Sequence, residues 1–223
     1  NLIRAPASFA DGKPMRRRMG SPRRRALPAA RLCRDSHGRA RTGRAAPTED
    51  DAMDMTAPAR IDMDRFWATI ERSSEIGPGR PGGLSRLAAS DSDREVRDQF
   101  VAWCREAGLS VRIDGIGNIF ARRAGTEDTL PPVVMGSHLD TQFNGGRFDG
   151  ILGVLGGLEV CRALDTIGHR TRRPIELVNW TNEEGARFSP PMVGSGTFTG
   201  AYTLDWAHGR VDEEGRRLGD ELA

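Results

Sequence analysis

The chain has 223 residues, of which 37% are hydrophobic and 29% charged, which is enough for one ordinary domain with an additional segment. It contains no run of 18 apolar residues and no signal-peptide pattern at its start, so the sequence predicts neither a membrane span nor secretion. Its three cysteines show no CxxC spacing, which disfavours a disulfide framework or a thiolate zinc site and predicts a reducing, cytoplasmic location.

The net charge of +2 combines a basic segment with an acidic one. Residues 1–46 contain twelve Arg and one Lys against two Asp, whereas residues 47–223 contain twenty Arg against twenty-nine Asp or Glu. The basic segment has no periodic apolar pattern, so it cannot bury enough apolar surface to offset the entropy of ordering it. We therefore predict a disordered Arg-rich tail over residues 1–58 and a folded domain over residues 59–223.

The basic tail has three interpretations. Its charge suits nucleic acid or another anionic surface, and its Arg-rich, acid-poor composition is also typical of a transit peptide. The third interpretation is that the tail is not native coding sequence, because the chain begins with Asn1 and because Met53, Met55 and Met63 are plausible starts. We favour the third, under which neither a nucleic acid nor a membrane is expected as a partner.

The domain begins with two predicted helices. Asp62 or Asp64 can cap a first helix that runs to Glu75 and has three apolar residues along one side: Phe66, Trp67 and Ile70. A Pro- and Gly-rich loop over residues 77–83 follows, and Ser90 then begins a second helix. Its apolar positions follow helical spacing: Val96, Phe100, Trp103, Cys104 and Ala107.

Strands and a third helix complete the predicted domain. Residues 109–113 and 118–122 are predicted to form two strands joined by a glycine turn. Residues 133–135 form a short, continuous apolar run that is typical of a buried central strand. A helix over residues 151–164 and a strand over residues 175–180 follow, and this alternation of strands and helices predicts an α/β layer fold.

Each of the last two predicted strands ends in a polar cluster. His138 and Asp140 follow the first strand, and Glu183 and Glu184 follow the second. Asp149 lies between them, in a Gly-rich turn that opens the third helix. Because sites in α/β sheets form at the carboxyl ends of strands, these five side chains are predicted to share one edge of the sheet.

The residue types in these clusters suit a divalent metal. An imidazole with carboxylates and no thiolate favours Zn²⁺ or Mn²⁺. Glu183 and Glu184 are consecutive and point in different directions, so one can bind a metal while the other acts as a base. Asp140 lies two residues after His138 and can orient its imidazole. Each feature alone has a plainer interpretation as a solvated surface group, but their convergence favours a site.

Other chemistries fit the sequence less well. Ser137 and Ser195 are not part of a Gly-x-Ser-x-Gly nucleophile elbow. Cys104 and Cys161 lie on apolar helix faces and are predicted to be core residues. No phosphate-loop Lys accompanies the glycines after residue 150, so no cofactor-binding residues are predicted.

Four strings of the domain form a specific set: Gly-Ser-His-Leu-Asp-Thr (136–141), Gly-Gly-Arg-Phe-Asp-Gly (145–150), Asn-Glu-Glu-Gly-Ala-Arg-Phe (182–188) and Gly-Ser (194–195). The set resembles the M20-type metal-dependent amidase family. The resemblance is to the branch of N-carbamoyl-L-amino-acid hydrolases, β-ureidopropionases and allantoate amidohydrolases. It extends over about residues 60–223 and does not include the tail.

The resemblance implies a zinc-exopeptidase-like catalytic domain with two divalent ions, Zn or Mn. In the family pattern His138 binds one ion, Asp149 bridges both and Glu184 binds the second. Glu183 is the general base. The implied reaction is hydrolysis of a linear ureido or amide C–N bond, most simply that of an N-carbamoyl amino acid.

The resemblance also leaves alternatives open. Allantoate, an N-acyl amino acid or a dipeptide are alternative substrates, and a non-catalytic fragment is an alternative of another class. The family has further histidine ligands and a lid domain that makes its homodimer, and neither is found up to Ala223. His169 and His208 are predicted to be surface residues. We therefore expect the chain to be the N-terminal part of the catalytic domain and to be inactive by itself. We do not expect it to form the family's homodimer without the lid domain.

Overall fold

The computed structural model describes residues 58–223, so the predicted tail lies almost wholly outside the described residues. The domain contains six helices in its described part: α1 (Met63–Ser74), α2 (Asp91–Glu106), α3 (Ile151–Thr166), α4 (Val193–Phe198), α5 (Leu204–His208) and α6 (Leu218–Glu221). Six strands accompany them: β1 (Gly83–Leu84), β2 (Ser110–Ile113), β3 (Ile119–Arg123), β4 (Val133–Ser137), β5 (Gly145–Gly146) and β6 (Ile175–Asn179). Within this part of the chain, no helix has the length and apolar character needed to cross a bilayer.

Four of the strands form a mixed sheet in the order β2-β3-β6-β4. β2 and β3 form the antiparallel pair predicted around the glycine turn, and β3 pairs antiparallel with β6. β4 runs parallel to β6, with Met135 opposite Leu177. The connection between these parallel strands contains α3, as a parallel pair requires a long crossover. The short strands β1 and β5 form a separate antiparallel pair.

The first two helices begin where the sequence predicts. Asp62 caps α1 by accepting a hydrogen bond from the backbone N–H of Arg65 at 3.0 Å. Ser90 caps α2 through the N–H of Asp93, whose carboxylate in turn accepts the N–H of Ala89 at 2.9 Å. Such reciprocal bonds satisfy the N–H groups that a helix start leaves without partners.

The three long helices pack around one apolar core against the sheet. α3 contacts β4 and β6, α2 contacts β2, and α1 packs on α3. The core contains residues from each of these elements, among them Ile70, Phe100, Leu155, Leu158 and Leu177. Cys104 and Cys161 are both fully buried in it, which confirms that they are core residues. Burial raises the pKa of the two thiols to about 12 and about 11, respectively.

Two apolar parts of the described residues are more exposed than the sequence predicts. Among the described strands β4 pairs only with β6, and Val133 and Val134 are half exposed, at 53% and 50%, so residues 58–223 do not supply the cover predicted for this strand. A continuous apolar run indicates that a strand needs cover, but it does not specify which neighbour provides it. Trp67 is also 45% exposed, and its ring contacts that of Phe148, whereas Ile70 is buried in the core and Phe66 packs against it.

Candidate metal centre

Three of the predicted ligands come together at the carboxyl edge of the sheet. His138, Asp149 and Glu184 each offer one ligand atom, and these atoms all lie within 4.8 Å of one another. Two ligand atoms that hold one divalent ion at about 2.0–2.2 Å each can be at most about 4.4 Å apart, so this group lies near the spacing of metal ligands. One imidazole and two carboxylates without a thiolate also match the donor set of Zn²⁺ or Mn²⁺. The side chains therefore fit a divalent metal.

The topology of the sheet explains why residues 46 positions apart in the chain meet. His138 follows β4 and Glu184 follows β6, and the carboxyl ends of these parallel strands lie at the same edge. Asp149 directly precedes Gly150, which caps α3 with φ +68°. A Cβ on Gly150 would lie 2.5 Å from the His138 ring, so only glycine allows α3 to begin this close to the imidazole.

His138 is buried and is held through its Nδ1 atom. Nδ1 lies 2.9 Å from the backbone carbonyl oxygen of Asp140 and 4.0 Å from the Asp140 carboxylate. Because a carbonyl can only accept, Nδ1 carries the proton in this contact, and the lone pair of Nε2 remains free for a metal. The contact that holds the imidazole is thus the backbone carbonyl of Asp140, rather than the Asp140 carboxylate that the sequence spacing suggests.

The carboxylate of Asp140 supports the two glutamates instead. Oδ1 accepts the backbone N–H of Glu183 at 3.3 Å, and Oδ2 accepts that of Glu184 at 3.2 Å. Burial, with the nearby charge of Asp93, raises the pKa of Asp140 above its usual value, although these two hydrogen bonds oppose the shift. The spacing of residues in the sequence gives no indication of this bridge between the ends of β4 and β6.

The two glutamate side chains occupy different positions in the site. The Glu183 carboxylate lies beside the potential ligand atoms, with its Oε2 3.3 Å from Nε2 of His138. Glu184 Oε2 accepts a hydrogen bond from the Gln142 side chain at 3.1 Å. The sequence indicates Gln142 only by its place two residues after Asp140.

The remaining histidines of the described domain lie outside this group of ligands. His169 follows α3 and is partly exposed. His208 ends α5, and its Nε2 lies 2.8 Å from the carbonyl oxygen of Gly115, which gives it a structural contact. The segment around His208 contains α5 and, after it, a bridge between Val211 and Arg217.

Known proteins resemble this chain in sequence. Residues 134–221 match the sequence profile of Peptidase family M20/M25/M40. An N-carbamoyl-L-amino-acid amidohydrolase of Rhizobium meliloti is 50% identical over 171 residues, which are 75% of this chain and 41% of that protein. A ureidoglycolate hydrolase of Oryza sativa subsp. japonica is 34% identical over 149 residues, or 67% of this chain and 31% of that protein. The chain thus spans well under half the length of these relatives.

Solved structures show the same fold. A hydantoinase/carbamoylase family amidase from Burkholderia ambifaria superposes with a TM-score of 0.73 and is 52% identical. The match covers 74% of this chain and 41% of that one. This likeness confirms the predicted α/β fold class.

Proposed function

Because this chain belongs to the M20-type metal-dependent amidase family, we propose that it contributes the metal-binding part of an enzyme that hydrolyses N-carbamoyl amino acids. The observation that carries the proposal is the meeting of His138, Asp149 and Glu184 with Glu183 beside them. The relative from Rhizobium meliloti supports the carbamoyl substrate by its name and its 50% identity.

We assign the metal ligands as the family resemblance implies. His138 would bind one divalent ion, Glu184 a second, and Asp149 both, with Zn²⁺ or Mn²⁺ as the ions. Bound ions of this kind polarise a carbonyl and lower the pKa of water. The Asp140 carbonyl supports this assignment, because it leaves the Nε2 lone pair of His138 free.

Glu183 would act as the general base and then as the general acid. It would take a proton from the water that attacks the ureido carbonyl and return it to the leaving nitrogen. Its Oε2 lies 3.3 Å from His138 Nε2, beside the ligand atoms, and this position supports the role. The products would be an amino acid, CO₂ and ammonia.

A second substrate shares the same ureido chemistry. The 34% identity with a plant ureidoglycolate hydrolase supports hydrolysis of ureidoglycolate or a related ureido acid by the same residues. The attacked carbonyl and the leaving nitrogen are equivalent in both substrates, so the group attached to the ureido nitrogen would distinguish them.

The test is an assay of ammonia release in two forms of the protein. The 223-residue chain is assayed directly with Zn²⁺ or Mn²⁺, and its residues 58–223 also replace the matching segment of the Rhizobium meliloti relative in a chimera. Each form receives N-carbamoyl amino acids and, separately, ureidoglycolate. We expect the chimera to release ammonia, and to lose this activity with His138→Ala. A folded, metal-loaded chimera that releases no ammonia from either substrate would contradict the proposal.

A further inference from the structure

The two glutamates lie on a closed loop with a narrow base. We call residues 182–193 the glutamate loop and its flanking residues Thr181 and Gly194 the neck. The N–H of Gly194 donates to the carbonyl of Thr181 at 2.9 Å, which closes the neck. Within the loop, the N–H of Met192 donates to the carbonyl of Glu183 at 2.8 Å. The position of the neck therefore determines where the glutamates leave the sheet.

A residue just before another strand holds both sides of this neck. Asn118 directly precedes β3 and is fully buried, with no exposed surface. Its Oδ1 accepts the N–H of Thr181 at 2.9 Å, and its Nδ2 donates to the carbonyl of Gly194 at 3.1 Å. The two sides need opposite partners, an acceptor for Thr181 and a donor for Gly194, and a side-chain amide offers both.

Asn118 is itself held in one orientation by Asp114. The Asp114 carboxylate accepts the Asn118 backbone N–H at 2.8 Å and its Nδ2 at 2.9 Å. Both Nδ2 protons are thus used, one by Asp114 and one by Gly194, and the amide cannot turn over without losing all of its side-chain contacts. A fully satisfied buried polar group of this kind specifies one geometry.

The neck has no room for a different arrangement. A Cβ on Gly194 would lie 2.3 Å from Oδ1 of Asn118 and 2.5 Å from the carbonyl oxygen of Thr181. Real Cβ atoms do not approach other atoms this closely, so glycine is required for Asn118 to reach both sides. The close approach and the hydrogen bonds are separate observations that indicate the same clamp.

We propose that Asn118 is a positioning residue that clamps the neck and thereby places Glu183 and Glu184 at the metal centre, an inference that rests on the proposed function. Two supports then act on the glutamate loop from different strands. Asn118 holds its base from the start of β3, and the Asp140 carboxylate holds the N–H groups of both glutamates from the end of β4. Loss of either support would leave the carboxylates less confined and would lower the affinity for metal.

The test compares Asn118→Ala with Val96→Ala in the full 223-residue chain. Val96 is a buried α2 residue of the main apolar core, whereas the buried loop residues Phe188 and Val193 belong to a separate apolar cluster, so its truncation reduces stability away from the glutamate loop. Zn²⁺ affinity is measured by calorimetric titration with ZnCl₂, and backbone hydrogen exchange of residues 182–193 is measured without metal or substrate. For Asn118→Ala we expect a Kd for Zn²⁺ that rises about 10–100-fold and faster exchange in the loop. Val96→Ala should change neither quantity.

An unchanged Zn²⁺ affinity and unchanged loop exchange in Asn118→Ala would overturn the clamp. If this variant does not fold, it is replaced by Gly194→Ala and by a double variant, Asp114→Asn/Asn118→Asp, in which the two side chains are swapped. The double variant keeps the contact between positions 114 and 118 and the acceptor for Thr181, but it lacks the donor to Gly194. If the unchanged 223-residue chain binds no Zn²⁺ by itself, the Zn²⁺ titration is made in the chimera described above, and a folded chimera that binds no metal contradicts the proposed function. The hydrogen-exchange result decides separately whether Asn118 clamps the neck.

Discussion

The carboxylate of Asp140 lies beneath the backbone of Glu184, whose N–H donates to Asp140 Oδ2 at 3.2 Å. The other carboxylate oxygen accepts the N–H of Glu183, so one buried side chain after β4 supports both glutamates after β6. At the same time the backbone carbonyl of Asp140 orients His138. A single residue thus links the imidazole and the two carboxylates of the candidate metal centre.

Asp140→Asn should weaken metal binding although it preserves shape. Asparagine offers one acceptor oxygen, and its NH₂ group would face a backbone N–H that it cannot satisfy. We expect the Kd for Zn²⁺ to rise about 10–100-fold, as for other groups that orient metal ligands. Calorimetric titration with ZnCl₂ measures this Kd. The control variant is Asp98→Asn, on the exposed side of α2. An Asp140→Asn variant with unchanged Zn²⁺ affinity would show that the bridge has no positioning role.

Glu183→Gln and Glu184→Gln should separate catalysis from metal binding. Glu183→Gln removes the proposed base without removing a proposed ligand, so turnover should fall about 10²–10⁴-fold while the metal content stays the same. Glu184→Gln should lower the metal content itself. Ammonia release and metal analysis of the chimera described above measure the two effects. Equal loss of metal in both variants would contradict this division of roles.

Gly150→Ala should disturb the site, whereas the same change at Gly156 should not. A Cβ at Gly150 would lie 2.5 Å from the His138 ring, and φ of +68° disfavours alanine there. A Cβ at Gly156, within α3, meets no atom within 4 Å, so alanine should stabilise the helix by about 0.5–1 kcal/mol. Thermal unfolding and Zn²⁺ titration measure both variants. Gly150→Ala with normal stability and Zn²⁺ affinity would refute the steric argument.

The thiols of Cys104 and Cys161 should not react in the folded protein. Burial raises their pKa to about 12 and about 11, and only the thiolate is an effective nucleophile. In a Cys33→Ser variant, which retains these two thiols, we expect no reaction with Ellman's reagent at a pH of about 8. Unfolding in guanidinium chloride should expose both thiols to the reagent. Rapid reaction of the native variant would show that the helices open readily.

Much of the local structure could be predicted from the sequence. The caps at Asp62 and Ser90 set the helix starts, because their side chains complete hydrogen bonds within four residues. Polar residues directly after two apolar strands also predicted which side chains gather at one edge of the sheet. Both inferences succeed because they depend on neighbours in the chain and on the regular geometry of strands and helices.

Tertiary structure alone decided the contacts between distant segments. The apolar run that contains Val133 and Val134 could not reveal that β4 pairs with β6 alone among the described strands, because strand order depends on pairing between segments far apart in the chain. The same reason applies to Asp140, whose carboxylate supports Glu183 and Glu184 across 43 and 44 positions. The sequence by itself determined which residue types are available at the edge of the sheet. The packing of β3, β4 and β6 determined which atoms meet, because a hydrogen bond forms only where donor and acceptor come within about 3 Å.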